Sequence, residues 1–191
     1  PILEAENKTI GIVTDAQGQR WYELTGDEAA RDVVVQAGQT LALRFKEKGQ
    51  YLRSFVSDES CFVDIMMNVG IIFYTAQETG DEELWRVAHQ HCLTTRRYLV
   101  RGDGSTAHEG LFDTQTGEFL RHSTQQGWRA DSCWARGLAW ALYGFGTVYA
   151  QTGAVRFLQT AEACAQYYIE HTPDHGVPPN DFDEPHQALP Y

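Results

Sequence analysis

The chain has 191 residues, with 15 Lys and Arg against 26 Asp and Glu, and so carries a formal charge of −11 at pH 7. That length holds one full-sized domain, and without a basic run of five or six residues nothing in it neutralises a phosphate backbone, which excludes nucleic acid as a partner. A 42% hydrophobic share against 21% charged specifies a packed core, while no apolar run nears the roughly 20 residues that a membrane span requires.

The chain opens Pro1-Ile2-Leu3-Glu4, with no Met and no basic stretch leading into an apolar one, so no signal peptide is read there and a processed or incomplete chain is expected. A short signal then recurs: Leu24-Thr25-Gly26-Asp27, Glu78-Thr79-Gly80-Asp81 and Gln151-Thr152-Gly153-Ala154. Each time an apolar helical stretch runs into Thr-Gly and an amphipathic one leaves it, which makes the glycine a helix stop and the link of an αα-hairpin.

The second member of each pair is one-faced. Ala30, Val33, Val34, Ala37 and Leu41 recur at steps of three and four, as do Leu84, Val87, Ala88, His91, Cys92, Thr95 and Leu99, and as do Phe157, Leu158, Ala161, Cys164, Ala165 and Tyr168. These predict outer helices. The first members, Ile65 to Tyr74 and Trp134 to Phe145, are apolar nearly all round and predict enclosed inner helices, with Gly70, Gly137, Gly144 and Gly146 letting backbones approach. Alternating inner and outer helices describe an all-α fold, either an α-solenoid or a closed α/α-barrel.

Residues 101–133 form a long glycine-rich connection in which Leu111 to Leu120 reads as a β-hairpin, and a connection of that length is expected to be functional. Residues 172–191 hold five prolines and predict extended chain. Cys61, Cys92, Cys133 and Cys164 lack metal-site spacing and read as small buried hydrophobes in a reducing compartment, which implies the cytoplasm. Aromatic residues make up 12% of the chain, including five Trp and nine Tyr, which suits stacking on a carbohydrate ligand.

Polar side chains are rare on the inner helices. Asp64, with Asn68 one helical turn on, is read either as a proton-transferring carboxyl or as a helix N-cap. Arg136 and Trp140 repeat the four-residue spacing beside Trp134; a buried Arg there needs an anionic partner, either a protein carboxylate or that of a ligand. Asp131 reads as an N-cap or the partner of an Arg. No Gly-x-Ser-x-Gly, phosphate loop, dinucleotide fingerprint or His-Glu-x-x-His is present.

Three segments, Val63-Asp64-Ile65-Met66-Met67-Asn68, Leu99 to His108 and Gln126 to Ala141 (with Trp134-Ala135-Arg136-Gly137-Leu138-Ala139-Trp140 at its heart), together resemble the unsaturated glucuronyl hydrolases of glycoside hydrolase family 88. The resemblance implies an α/α-barrel of six hairpins, about three of them present in this chain. It also implies removal of a 4,5-unsaturated glucuronic acid from the non-reducing end of lyase-generated oligosaccharides, such as glycosaminoglycan disaccharides, without metal or cofactor. Asp64 matches the family's general acid/base, and His108, Gln126, Trp134, Arg136 and Trp140 match residues that hold the unsaturated sugar. Thr9, after Lys8, stands where the family places a second catalytic Asp after a His, and Phe55 stands where it has a Trp. A closely related reading is an unsaturated rhamnogalacturonyl hydrolase. A catalytically impaired carbohydrate-binding fragment and a helical-repeat scaffold are the others, and the scaffold reading accounts for neither Asp64 nor Arg136. A half ring is expected to expose apolar inner-helix surface at its open ends, leaving the chain to aggregate, pair or depend on absent segments.

Overall fold

The three Thr-Gly links form the same turn. In each the threonine hydroxyl donates to the carbonyl four residues back, Thr25 to Trp21, Thr79 to Thr75 and Thr152 to Val148, at 2.7 to 2.8 Å. The glycine then takes a left-handed backbone, with φ of +70° at Gly26, +70° at Gly80 and +66° at Gly153, which only glycine adopts without cost. The computed structural model of the chain describes residues 11–185, so the departure read at Lys8 and Thr9 lies outside the described residues.

Three helical hairpins result: α1 (Gly11–Thr25) with α2 (Glu28–Ala42), α3 (Gly70–Thr79) with α4 (Glu82–Tyr98), and α5 (Ala135–Thr152) with α6 (Val155–His171). The members of each pair pack together, and α2 on α3 and α3 on α5 join neighbouring pairs. This is the helical-hairpin architecture of an α/α-barrel. Among the described residues no helix is long and apolar enough to cross a membrane.

The one-faced reading of α4 holds throughout, with Leu84, Val87, Ala88, His91, Cys92, Thr95 and the following Leu99 all buried. On α2 the buried stripe is narrower: Val34 is buried, whereas Val33 is 47% exposed. The inner helix α3 is enclosed all round, as expected, with Ile71 to Ala76 buried without a break, whereas α5 and α1 each keep an exposed side. Along α5, Leu138, Ala141, Phe145 and Val148 are fully buried at steps of three and four, yet Tyr143 is 50% exposed, and on α1 Trp21 and Leu24 are exposed as well.

The expected helix from Ile65 is not continuous. Residues Val63–Met67 form a 3-10 turn and the α-helix restarts at Gly70. With three residues per turn, side chains four apart do not stack, so Asn68 is not one helical turn above Asp64. Close backbone approach occurs at Gly144, where a Cβ would stand 2.4 Å from the Met66 carbonyl oxygen, and at Gly137, against Val63 and Trp134. Gly146 faces open space and does not serve this purpose.

Strands β1 (Phe45–Lys46) and β2 (Tyr51–Leu52) form a small hairpin. Strands β3 (Ser60–Phe62), β4 (Glu109–Phe112) and β5 (Phe119–Ser123) form an antiparallel sheet, pairing Cys61 with Gly110 and Gly110 with His122. The β4–β5 hairpin is the one expected from Leu111 to Leu120, closed by Asp113, whose Oδ1 accepts the Gln115 and Thr116 amides. Residues 172–185 contain no helix, as their prolines predict.

Candidate active site

Strand β3 runs directly into the 3-10 turn that carries Asp64, and the Val63 amide donates to the His108 carbonyl at 2.9 Å, so the two segments meet just where β3 and β4 begin to pair. Asp64 makes no N-cap: Phe62 caps the turn, without a side-chain bond. Its carboxylate is instead 28% exposed, with Oδ2 buried, free of any hydrogen bond and 3.5 Å from Nε2 of His108.

His108 is 3% exposed as a residue and lies between the tilted rings of Phe62 and Trp134, with ring centroids at 4.7 and 4.9 Å. Its Nδ1 accepts the Gln125 amide at 3.1 Å and lies 3.1 Å from the Thr124 hydroxyl. An imidazole nitrogen that accepts an N–H carries no proton itself, so the neutral ring bears its proton on Nε2, facing Asp64. Nε2 has no other partner.

Trp134 caps α5 and is held there by the extended C-terminal segment. The Ala135 amide donates to the Asn180 carbonyl, Phe182 donates to the Cys133 carbonyl, and the Cys133 amide donates to Asp183. Fully buried Asp181 accepts the Trp128 amide at 2.9 Å and the Ser132 hydroxyl at 2.7 Å, fixing the loop that leads into α5. Arg136 lies on the first turn, 4.6 Å from the Trp134 ring, and donates to the side-chain carbonyl of Gln126.

Five of the expected site residues thus form one chain of contacts: Asp64, His108, Trp134, Arg136 and Gln126. Trp140, half-buried, shares the α5 face of Arg136 at four residues' spacing, and Asn68, half-buried, ends the 3-10 turn. Arg136 is exposed rather than buried and forms no ion pair among the described residues, which sets aside a structural Arg–Asp pair. Asp131 pairs with Arg129 at 3.0 Å on the surface, one of the two roles expected of it. Phe55, 57% exposed, meets Phe62 edge-on at 5.7 Å.

The four cysteines are buried and unpaired, and burial pushes the Cys133 thiol up to about 11 and that of Cys61 to about 12, so neither offers a nucleophile near neutrality. His91 is buried too; desolvation lowers its pKa to about 3, and its Nδ1 accepts the Leu52 amide, an outer-helix histidine with a structural task. Among the described residues no three His, Cys, Asp or Glu side chains converge as a metal-binding group. Glu109, Thr124, Gln125 and Asp181 were not singled out by motif or spacing, because each earns its place through partners distant in the chain.

An unsaturated glucuronyl hydrolase from Bacillus sp. (strain GL1) is 30% identical over 192 residues, covering 97% of this chain and 51% of that protein. Another, from Formosa agariphila, is 36% identical over 162 residues, covering 81% and 40%. The crystal structure of the Bacillus sp. GL1 unsaturated glucuronyl hydrolase, described as responsible for the degradation of glycosaminoglycan, superposes with a TM-score of 0.88 at 30% identity, over 92% of this chain and 48% of that one. The chain spans about half the length of the curated relatives it matches. The family model for Glycosyl Hydrolase Family 88 matches residues 18–176, and with those relatives it places the chain as a member of glycosyl hydrolase family 88.

Proposed function

We propose that this chain takes part in removing 4,5-unsaturated glucuronic acid from the non-reducing end of lyase-generated oligosaccharides, with Asp64 as general acid and base. The observation that carries this reading is the buried, unpartnered Oδ2 of Asp64 beside an equally unpartnered Nε2 of His108. Two polar atoms kept dry and unsatisfied are costly unless a ligand completes them.

Asp64 protonates C4 of the enol-ether double bond and accepts a proton from the water that adds at C5. The product is a hemiketal at C5. Its ring opens to a C5 ketone, leaving a hemiacetal at C1, and collapse of that hemiacetal releases the remaining sugar as an alcohol. One titrating carboxylate suffices, whereas ordinary glycoside hydrolysis wants two at a set separation. The Nε2–H of His108, 3.5 Å from Oδ2 of Asp64 and free to bond the sugar, helps hold the substrate at that carboxylate, and Arg136, steadied by Gln126, receives the carboxylate of the uronic acid. Trp140 offers indole surface to the flat unsaturated ring, with Asn68 at the edge of the same site, while Trp134, buried against His108 and Arg136, acts by holding those two side chains rather than by meeting the sugar. The unpaired buried cysteines support folding in a reducing compartment, the cytoplasm.

The test is loss of the ultraviolet absorbance of the conjugated enol ether when the protein is mixed with unsaturated glycosaminoglycan disaccharides. Asp64→Asn is expected to slow that loss by about a hundred- to ten-thousand-fold, and undiminished turnover by this variant overturns the assignment. Pectin-derived disaccharides run in parallel separate the unsaturated rhamnogalacturonyl hydrolase reading.

A further inference from the structure

Glu109 is a buried ionisable side chain that the reaction above leaves without a task. It is 1% exposed, on the central strand β4, and its oxygens accept from neutral donors: Oε1 from the Ser60 hydroxyl at 2.5 Å and Oε2 from the Gln125 amide group at 3.2 Å. Ser60 in turn accepts from the Ser54 hydroxyl at 2.8 Å. A carboxyl group is expensive to bury, and a folded chain that keeps one there has tied it to whatever its oxygens hold.

What Oε2 holds is the residue that touches His108. Gln125 follows β5, and its backbone N–H donates to Nδ1 of His108 while its side chain reaches back to Glu109. Thr124 closes the same segment around the ring, its hydroxyl lying by Nδ1 and accepting the Gly127 amide at 2.8 Å. Gln125 itself is exposed, so without an anchor nothing in its own burial would hold its N–H on the imidazole.

We propose that Glu109 is a positioning residue: by anchoring the Gln125 side chain across the end of β5, it keeps the Gln125 N–H on Nδ1 of His108 and thereby sets His108 as an Nε2–H donor toward Asp64. The proposal rests on the reading of Asp64 and His108 as the reacting pair. It adds a residue that touches no substrate and acts through two others.

The experiment is an imidazole 15N correlation spectrum of the labelled protein near neutral pH, with the His108 signals identified by their loss in His108→Asn. The wild-type ring is expected to show an unprotonated Nδ1 and a protonated Nε2. In Gln125→Ala and Glu109→Ala both nitrogens move to intermediate shifts, the signature of exchanging tautomers. Glu109→Gln, whose carbonyl oxygen still accepts from Gln125, keeps the wild-type pattern. Because Gln125 is exposed, its variant decides the matter even where Glu109→Ala fails to fold. A wild-type pattern in Gln125→Ala overturns the proposal, as does a wild-type ring protonated on Nδ1. Turnover plays no part in these spectra, so failure of the hydrolase reading shows separately, in the absorbance assay.

Discussion

Arg136 is an exposed cation resting 4.6 Å above the Trp134 ring, with its guanidinium steadied by a neutral Gln126 and no ion pair among the described residues. Such an arrangement leaves the charge available, whereas a structural arginine would have been given a carboxylate. Replacing it should therefore cost binding and spare the fold. Arg136→Met is expected to weaken affinity for an unsaturated disaccharide by about ten- to a hundred-fold, the worth of a hydrogen bond to a charged group, while stability stays within about 0.5 kcal/mol. Tryptophan fluorescence titration reads the first and urea unfolding the second. Arg136→Lys recovers only part of the loss, since an ammonium lacks the planar fork that meets both carboxylate oxygens. At this scale Asp64, Trp134 and Arg136 were visible in the sequence itself, as polar or aromatic exceptions on apolar helical stretches, whereas His108 and Gln126 entered only through the family resemblance. Asp181 and Glu109 could be read by neither route: Asp181 sits among prolines with no periodicity and acquires its role from Trp128 and Ser132, roughly fifty residues earlier. The Asp64–Asn68 pairing failed for a local reason, since spacing of four means one face only in an α-helix, and the chain there is wound as a 3-10 turn.

The three hairpins share their turn but not its last residue. Asp27 and Asp81 take extended backbones, ψ of 99° and 102°, and accept from the first-turn amides of α2 and α4. Ala154 takes the same conformation, φ −78° and ψ 106°, and has no side-chain oxygen to offer α6. A residue already in N-cap geometry gains the capping bond without rearrangement, so Ala154→Asp is expected to stabilise the protein by about 0.5–2 kcal/mol, partly offset because Ala154 packs against the core. A rise in the urea midpoint with unchanged slope checks this, and Asp81→Ala should show the opposite shift. The Thr-Gly repeat was legible because its physics is local: a hydroxyl bonding back four residues and a glycine in left-handed conformation need no tertiary partner. Strands β1 to β3 were not, since two or three residues carry no measurable alternation: β1 and β2 pair with each other, and β3 pairs only because the hairpin of β4 and β5 supplies it with an edge.

Across the whole molecule, the inner-outer order of helices followed from periodicity alone, but what joins helix to sheet did not, and the joint carries a pH dependence. His91 lies fully buried on α4, its Nδ1 accepting the Leu52 amide at 3.1 Å from β2, with Nε2 near the Thr95 hydroxyl. Charging it would put a cation in a dry core and end that acceptor bond, which is why burial lowers its pKa to about 3. In the unfolded chain the same imidazole titrates near 6.5. Between these values the unfolded state binds a proton that the folded state refuses, so stability falls as pH falls. The sign is that of a depressed pKa: the contribution is complete above about 6.5 and is lost progressively down to about 3, at up to about 1.4 kcal/mol per pH unit from this group. His89, lowered by burial and then by Arg156, acts in the same direction. Carboxylates held below their usual range, among them Asp103 and Asp113, add to the loss only in more acid solution, as pH falls through their own titration. The urea midpoint should therefore begin to drop on acidification from about pH 6.5, ahead of any carboxylate. His91→Gln, which keeps an acceptor but cannot be protonated, should remove most of that early slope whatever its own stability at pH 7. An unchanged slope in this variant would place the acid sensitivity elsewhere than the contact between α4 and β2.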